Sequence, residues 1–151
     1  MPPFRRGLGL VAVAIALAGA GCDEKLSEVT GPTPSLQPTL SSIQREIFNA
    51  SDSSGRLGCI GCHTDQGRTP ASGLVLLDGR SYGALVGVAS RGKAGATLVI
   101  PGDPDASYLV HKLEGASTIA GTRMPRSSGP YLTEGQMSVI RRWIELGAKN
   151  N

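Results

Sequence analysis

The sequence predicts an all-α domain of three to five short helices joined by long loops. Two observations lead there. Apolar residues recur at helical spacing in a few separate stretches, most of them with their own start or stop signal. Between them, glycine and proline interrupt the chain, with 21 glycines and 10 prolines in 151 residues. Strands do not alternate with helices, so a βαβ architecture is not expected.

The helical domain is expected to span residues 40–149. Residues 1–21 read as a secretory signal. Arg5 and Arg6 precede an apolar run from Leu8 to Ala18, and small residues follow. The run is short for a permanent membrane helix. Ala18-Gly19-Ala20 fits ordinary cleavage, and "AGAGC" fits a loose lipoprotein signal with Cys22 lipidated. The lipoprotein reading gives a use to a thiol that would otherwise stand alone in an exported chain. Residues 22–39 are polar and carry Pro32, Pro34 and Pro38, a tether between membrane and domain.

The first helix is expected in "SSIQREIFNAS", capped by Ser41 or Ser42, with Ile43, Ile47 and Ala50 on one face. "LVLLDGRSYGALVGVAS" gives a short apolar run, a turn at Asp78-Gly79 and a brief helix around Tyr82 to Val86. Thr97 to Ile100 reads as extended. Asp103 and Pro104 read as an N-cap and first-turn proline, opening a helix to about Leu113 with Tyr108, Leu109 and Leu113 inward. The last helix has the clearest signals. Thr133 and Gln136 form a capping box, Met137, Ile140, Trp143 and Ile144 share a face, and Gly147 ends it.

Charge excludes one class of partner. Without Arg5 and Arg6 the chain keeps 13 Lys+Arg against 12 Asp+Glu, so the formal charge falls from +3 to +1. No basic run interleaved with aromatics exists, and nucleic acid is not an expected partner.

The chemistry concentrates in "GCIGCHTDQG", residues 58–67. Zinc needs about four ligands in separated pairs, and no second CxxC accompanies Cys59, Cys62 and His63. A thioredoxin-like dithiol needs a βαβ setting that the chain lacks. C-x-x-C-H also serves covalent haem attachment: two thiols add to the vinyl groups and the histidine ligates the iron. Gly61 between the cysteines leaves room for the ring. Haem also accounts for a chain poor in aromatics and rich in glycine, because its apolar body supplies core that the sequence lacks.

A second axial ligand decides what the iron does. Met124 lies 61 residues after His63 in the irregular "GTRMPRSSGP". Pro125 biases it towards extended backbone, so it makes a poor core residue and a good distal ligand. Met137 belongs to a helix face. His111 is the rival and would give bis-histidine ligation.

"SSIQREIF", "CIGCH", "LVLLDGRSYGALVGVAS", "VIPGDPDASYLVHKLEG", "GTRMP" and "LTEGQMSVIRRWIELGA", in this order, resemble class I c-type cytochrome domains, most closely the planctomycete-type bacterial subgroup. The resemblance implies a cytochrome c fold in which first and last helices cross, with Phe48 and Trp143 near the crossing and Met124 as sixth ligand. The interval from His63 to Met124 is longer than in minimal cytochromes c, which leaves the propionate contacts open. Arg91, Lys93 and Arg123 are candidates, with Lys93 better read as a solvated charge.

The expected function is electron transfer: one covalent haem c, His/Met ligation, transient contacts with redox partner proteins and no substrate chemistry of its own. The expected location is the periplasm, with a lipid anchor at Cys22. Two other functions use the same motif: a haem sensor or peroxidase-like enzyme with an open distal side, and a binding module stapled by haem. A haem-dependent core predicts a largely unfolded apoprotein. Circular dichroism and limited proteolysis of protein made without haem attachment check this, and a compact, protease-resistant apoprotein contradicts it.

Overall fold

The computed structural model describes residues 35–126 and 129–151. The signal sequence, Cys22 and residues 22–34 of the tether lie outside the described residues. All regular structure among the described residues is helical, apart from three isolated bridges. The all-α expectation holds at that level.

Four helices carry the domain. α1 is an α-helical turn, Leu40–Ile43, that runs on as a π-helical stretch, Gln44–Phe48. α2 is Ser81–Leu85, α3 is Tyr108–Glu114 and α4 is Glu134–Glu145. Single 3₁₀ turns form at Cys59–Gly61 and Ala71–Gly73. Among the described residues no helix is long and apolar enough to cross a membrane.

Thr39, one residue before α1, is its N-cap, not Ser41 or Ser42. Its backbone is extended and its hydroxyl accepts the Ser42 N–H at 3.2 Å. The two serines already have helical positions. Packing also starts earlier than residue 40. Leu36 is buried in the core, and the C-terminus closes over α1, where Asn151 accepts from the backbone N–H groups of Leu40 and Ser41.

The π-turn has a local cause. Gln44 is buried and uses its side chain as a hub. Nε2 donates to the Leu76 carbonyl at 2.7 Å and to Asn49 Oδ1 at 2.8 Å, while Oε1 accepts from Ser81 Oγ at 2.5 Å. One amide thereby joins α1, the chain after the cysteine motif and the start of α2. Such π-turns recur at functional positions.

α3 starts at Tyr108, five residues after Asp103. Asp103 does cap, but only a single turn, through Oδ1 to the Ala106 N–H at 2.9 Å. Ser107 is fully buried, and its hydroxyl is engaged by the Ile100 N–H and the Asp103 carbonyl. Those bonds bend the chain before the helix begins. Residues 86–90 and 96–100 lie side by side behind it, and Tyr108 and Leu109 donate to the carbonyls of Thr97 and Leu98. Gly115 ends α3 in left-handed conformation.

α4 matches its sequence signals. Thr133 and Gln136 form the capping box, Met137, Ile140, Trp143 and Ile144 are buried, and Gly147 follows at positive φ. α4 packs against α1 and α3, so Ile43, Ile47, Phe48, Leu109, Leu113, Ile140 and Trp143 share one core. Arg141 adds a bridge from α4 to Glu114 at 2.9 Å and to Asp105.

A buried arginine joins α1 to the cysteine motif. The Arg56 side chain is 1% exposed. Its Nε donates to Asp52 at 2.9 Å, and its guanidinium reaches the carbonyls of Ile47, Ala50 and Leu57. Burial alone would raise the Asp52 pKa, but hydrogen bonds from Ser54 and Arg56 and the arginine charge bring it below its ordinary 3.8. A carboxylate with a depressed pKa stabilises the fold above its unfolded value and loses that contribution as pH falls. Arg56→Ala is expected to cost about 3 kcal/mol or more, because it leaves a carboxylate and carbonyls without their partner. In urea titrations the stability gap between wild type and Asp52→Asn should hold near neutral pH and close below 3.8. A gap that persists unchanged into strong acid contradicts the assignment.

Candidate functional site

The Cys59–Gly61 turn is held from inside and outside. Cys62 and His63 both donate their N–H to the Cys59 carbonyl, at 3.2 and 2.9 Å. The next segment returns alongside: Ala71 donates to the Cys62 carbonyl at 3.0 Å and Leu76 to the His63 carbonyl at 2.8 Å. The motif is therefore clamped between the end of α1 and residues 71–76.

Gly58 sits at the closest approach. A Cβ there would lie 2.5 Å from the Asn49 carbonyl oxygen, at the end of α1. Gly61, by contrast, has nothing within 4 Å of a built Cβ. The protein itself crowds the glycine before the motif and leaves the one inside it free.

Both thiols are free. Cys59 is half-buried, its Sγ 3.7 Å from the Ile47 carbonyl, and burial pushes its pKa up. Cys62 is exposed. His63 is half-buried and lines a cavity of about 360 Å³. Leu74, Leu76, Leu98, Leu109 and Leu113 supply much of its wall, and Met124 lines it as well. A site of this size and lining falls in the range of cofactor pockets. The two cysteines do not line the cavity, although Cys62 adjoins His63 in the chain.

Burial is the main cause that draws the His63 pKa below its ordinary 6.5, offset in part by the backbone of Ala71 and Leu74. The imidazole is thus kept neutral, the form in which histidine ligates metal. Its Nδ1 is buried and makes no hydrogen bond. An apolar cavity with a neutral imidazole and a thioether on its wall fits a flat apolar group that carries an iron. Among the described residues no three His, Cys, Asp or Glu side chains gather as an ion-binding group.

Met124 is positioned by α3. Its N–H donates to the Lys112 carbonyl at 2.8 Å. Lys112 Nζ donates in turn to the carbonyls of Ala120 and Thr122, which draws the loop over the helix. The Met124-Pro125 peptide is cis. His111 does not line the cavity; its Nε2 lies 2.6 Å from the Asp105 carbonyl and its ring meets the Tyr108 ring edge-on. Arg91 lines the cavity, whereas Lys93 and Arg123 do not.

Sequence reasoning passed over Arg56 and Gln44, which hold the motif in place. The acid–base spacing of Asp52 and Arg56 was the one available signal for the first. Gln44 carried none.

No protein-family profile, curated protein or solved structure matches this chain.

The crowding at Gly58 yields a contrast. Gly58→Ala should cost about 1–3 kcal/mol, because backbone must move. Gly61→Ala, whose Cβ meets no protein atom, should cost less than Gly58→Ala. Urea unfolding of both variants checks this, and equal effects contradict the assigned close approach.

Proposed function

We propose that the domain is a mono-haem c-type cytochrome with the cytochrome c fold, acting as an electron carrier of the cell envelope. In this reading Cys59 and Cys62 hold the haem through thioethers, and His63 and Met124 are the axial ligands. The observation that carries it is the meeting of His63 and Met124, 61 residues apart, on the wall of one apolar cavity. The neutral state of His63, kept by burial, supports the same reading.

Haem, when bound, supplies an iron that cycles between ferric and ferrous forms. The chain's own residues do the rest. The leucines of the cavity wall exclude water, which raises the influence of every fixed charge and dipole nearby. His63 stays neutral through burial. Met124 is fixed by its backbone bond to α3, and a thioether opposite histidine favours a higher potential than a second imidazole. Redox partners meet the protein through small, transient contacts. Export to the periplasm and a lipid anchor at Cys22 complete the proposal on sequence grounds alone.

Spectra of protein matured with covalent haem attachment test this. The oxidised wild type should be low-spin and show the thioether-to-iron charge-transfer band. Met124→Ala should lose that band, gain rapid carbon monoxide binding when reduced and titrate at a lower potential. A variant spectrum identical to wild type contradicts methionine ligation. Full, fast carbon monoxide binding by reduced wild type points to the open-site sensor or enzyme, and failure to attach haem contradicts the whole reading.

A further inference from the structure

Two cations line the cavity that holds His63 and Met124: Arg91 and Lys112. Lys112 is engaged, since its Nζ donates to the Ala120 carbonyl at 3.0 Å and to the Thr122 carbonyl. The other nearby cations are engaged elsewhere. Lys93 Nζ donates to the Thr118 carbonyl at 2.6 Å and lies over the Tyr108 ring. Arg123 Nε donates to the Leu113 carbonyl at 2.7 Å, and its guanidinium stacks 3.8 Å from the Tyr131 ring centroid. Among the described residues Arg91 alone combines a place on the cavity wall with a guanidinium that makes no hydrogen bond or ion pair.

The position of Arg91 is built by its neighbours. Ser90 Oγ accepts the N–H groups of Gly92 and Lys93, both at 3.2 Å, which fixes the turn that carries it. Its guanidinium lies against Gly73, where a Cβ would collide with Nη1 and approach Cδ at 3.1 Å. Gly73 also has φ +66, which by itself favours glycine there. The backbone facing the cavity thus makes room for the arginine side chain.

A planar guanidinium presents donors that match a carboxylate, and a carboxylate against an apolar wall needs such a partner. Haem carries two propionate carboxylates on one edge. We infer that Arg91 binds a haem propionate and is the positioning residue for that edge of the ring. This rests on the haem reading above. It also selects among the three candidate cations: Arg91 serves, while Lys93 and Arg123 brace loops.

The test uses the matured holoprotein. A haemochrome spectrum first establishes covalent haem in the wild type; its absence overturns this inference together with the reading beneath it. With haem present, Arg91→Gln should shift the propionate bending bands in the resonance Raman spectrum. Removing a positive charge near the iron favours the ferric form, so the ferrous-to-ferric ratio at a fixed applied potential should fall roughly two- to tenfold. The methionine charge-transfer band should remain. Arg91→Lys should restore most of the potential, and Arg142→Gln, on α4 and paired with Glu145 away from the cavity, should leave both bands and potential at wild-type values. Wild-type propionate bands and potential in Arg91→Gln overturn the inference while leaving the haem reading intact. So does an equal shift in Arg142→Gln, or loss of the methionine band in both Arg91 variants, which would make the arginine a structural brace.

Discussion

The carbonyl groups at the end of α1 have no helical partners of their own, and the way they are satisfied governs the rest of the structure. Arg56 does this from the loop that follows. Its guanidinium reaches the carbonyls of Ile47 and Ala50, its own neighbour Leu57 and the Asp52 carboxylate. The loop is thereby folded back onto the helix, Gly58 comes to rest against Asn49, and Cys59 is brought beneath Ile47. A buried charge of this kind is costly to desolvate and more costly still to strip of its partners. What it provides is a fixed position for a turn made of glycine, cysteine and one small helix, which has little packing of its own.

The same device recurs on the other side of the cavity. The loops there are rich in glycine and could not hold themselves by side-chain packing. Polar side chains tie their backbone down instead: Lys112 on the carbonyls of Ala120 and Thr122, Lys93 on Thr118, Arg123 on Leu113. Long loops normally count against a compact domain. Here cations from α3 and its neighbours hold the loop carbonyls, and Lys112 does so from the cavity wall itself, beside the leucines.

Local codes in the sequence were legible, and contacts between distant segments were not. α4 could be read from Thr133 to Gly147 because a capping box, a helical apolar face and a terminal glycine act within one element. The start of α1 was off by two or three residues, since Thr39, Ser41 and Ser42 are chemically equivalent caps and only the extended backbone at Thr39 separates them. The start of α3 was off by four, because Ser107 is drawn away from the helix by Ile100 and Asp103. Leu36 looked like tether and is core. Arg56 and Gln44 were not singled out; their burial depends on partners that the chain supplies from separate places. Met124 was singled out for its loop setting, and it does line the cavity with His63. Arg91 was one of three candidate cations, but its place on that cavity, against Gly73, comes from the fold and not from a local pattern.

His63 and Met124 are held by different parts of the fold. His63 follows α1 through the Arg56 brace and the bonds of residues 71–76. Met124 follows α3 through the Lys112 carbonyl. Between these two anchors stands α4, which packs on α1 through its apolar face and on α3 through both packing and Arg141. The separation of the two residues therefore depends on helix packing together with the bonds that hold each loop to its helix. On the proposed reading, transfer of an electron would ask for little rearrangement around an iron held by the two residues, and a scaffold that sets their spacing through helix packing would suit it. The two anchors also have different weak points. Damage to the Arg56 brace acts on the histidine side and on overall stability together. Damage to the 116–124 loop acts on the methionine side while α1, α4 and their shared core remain in place.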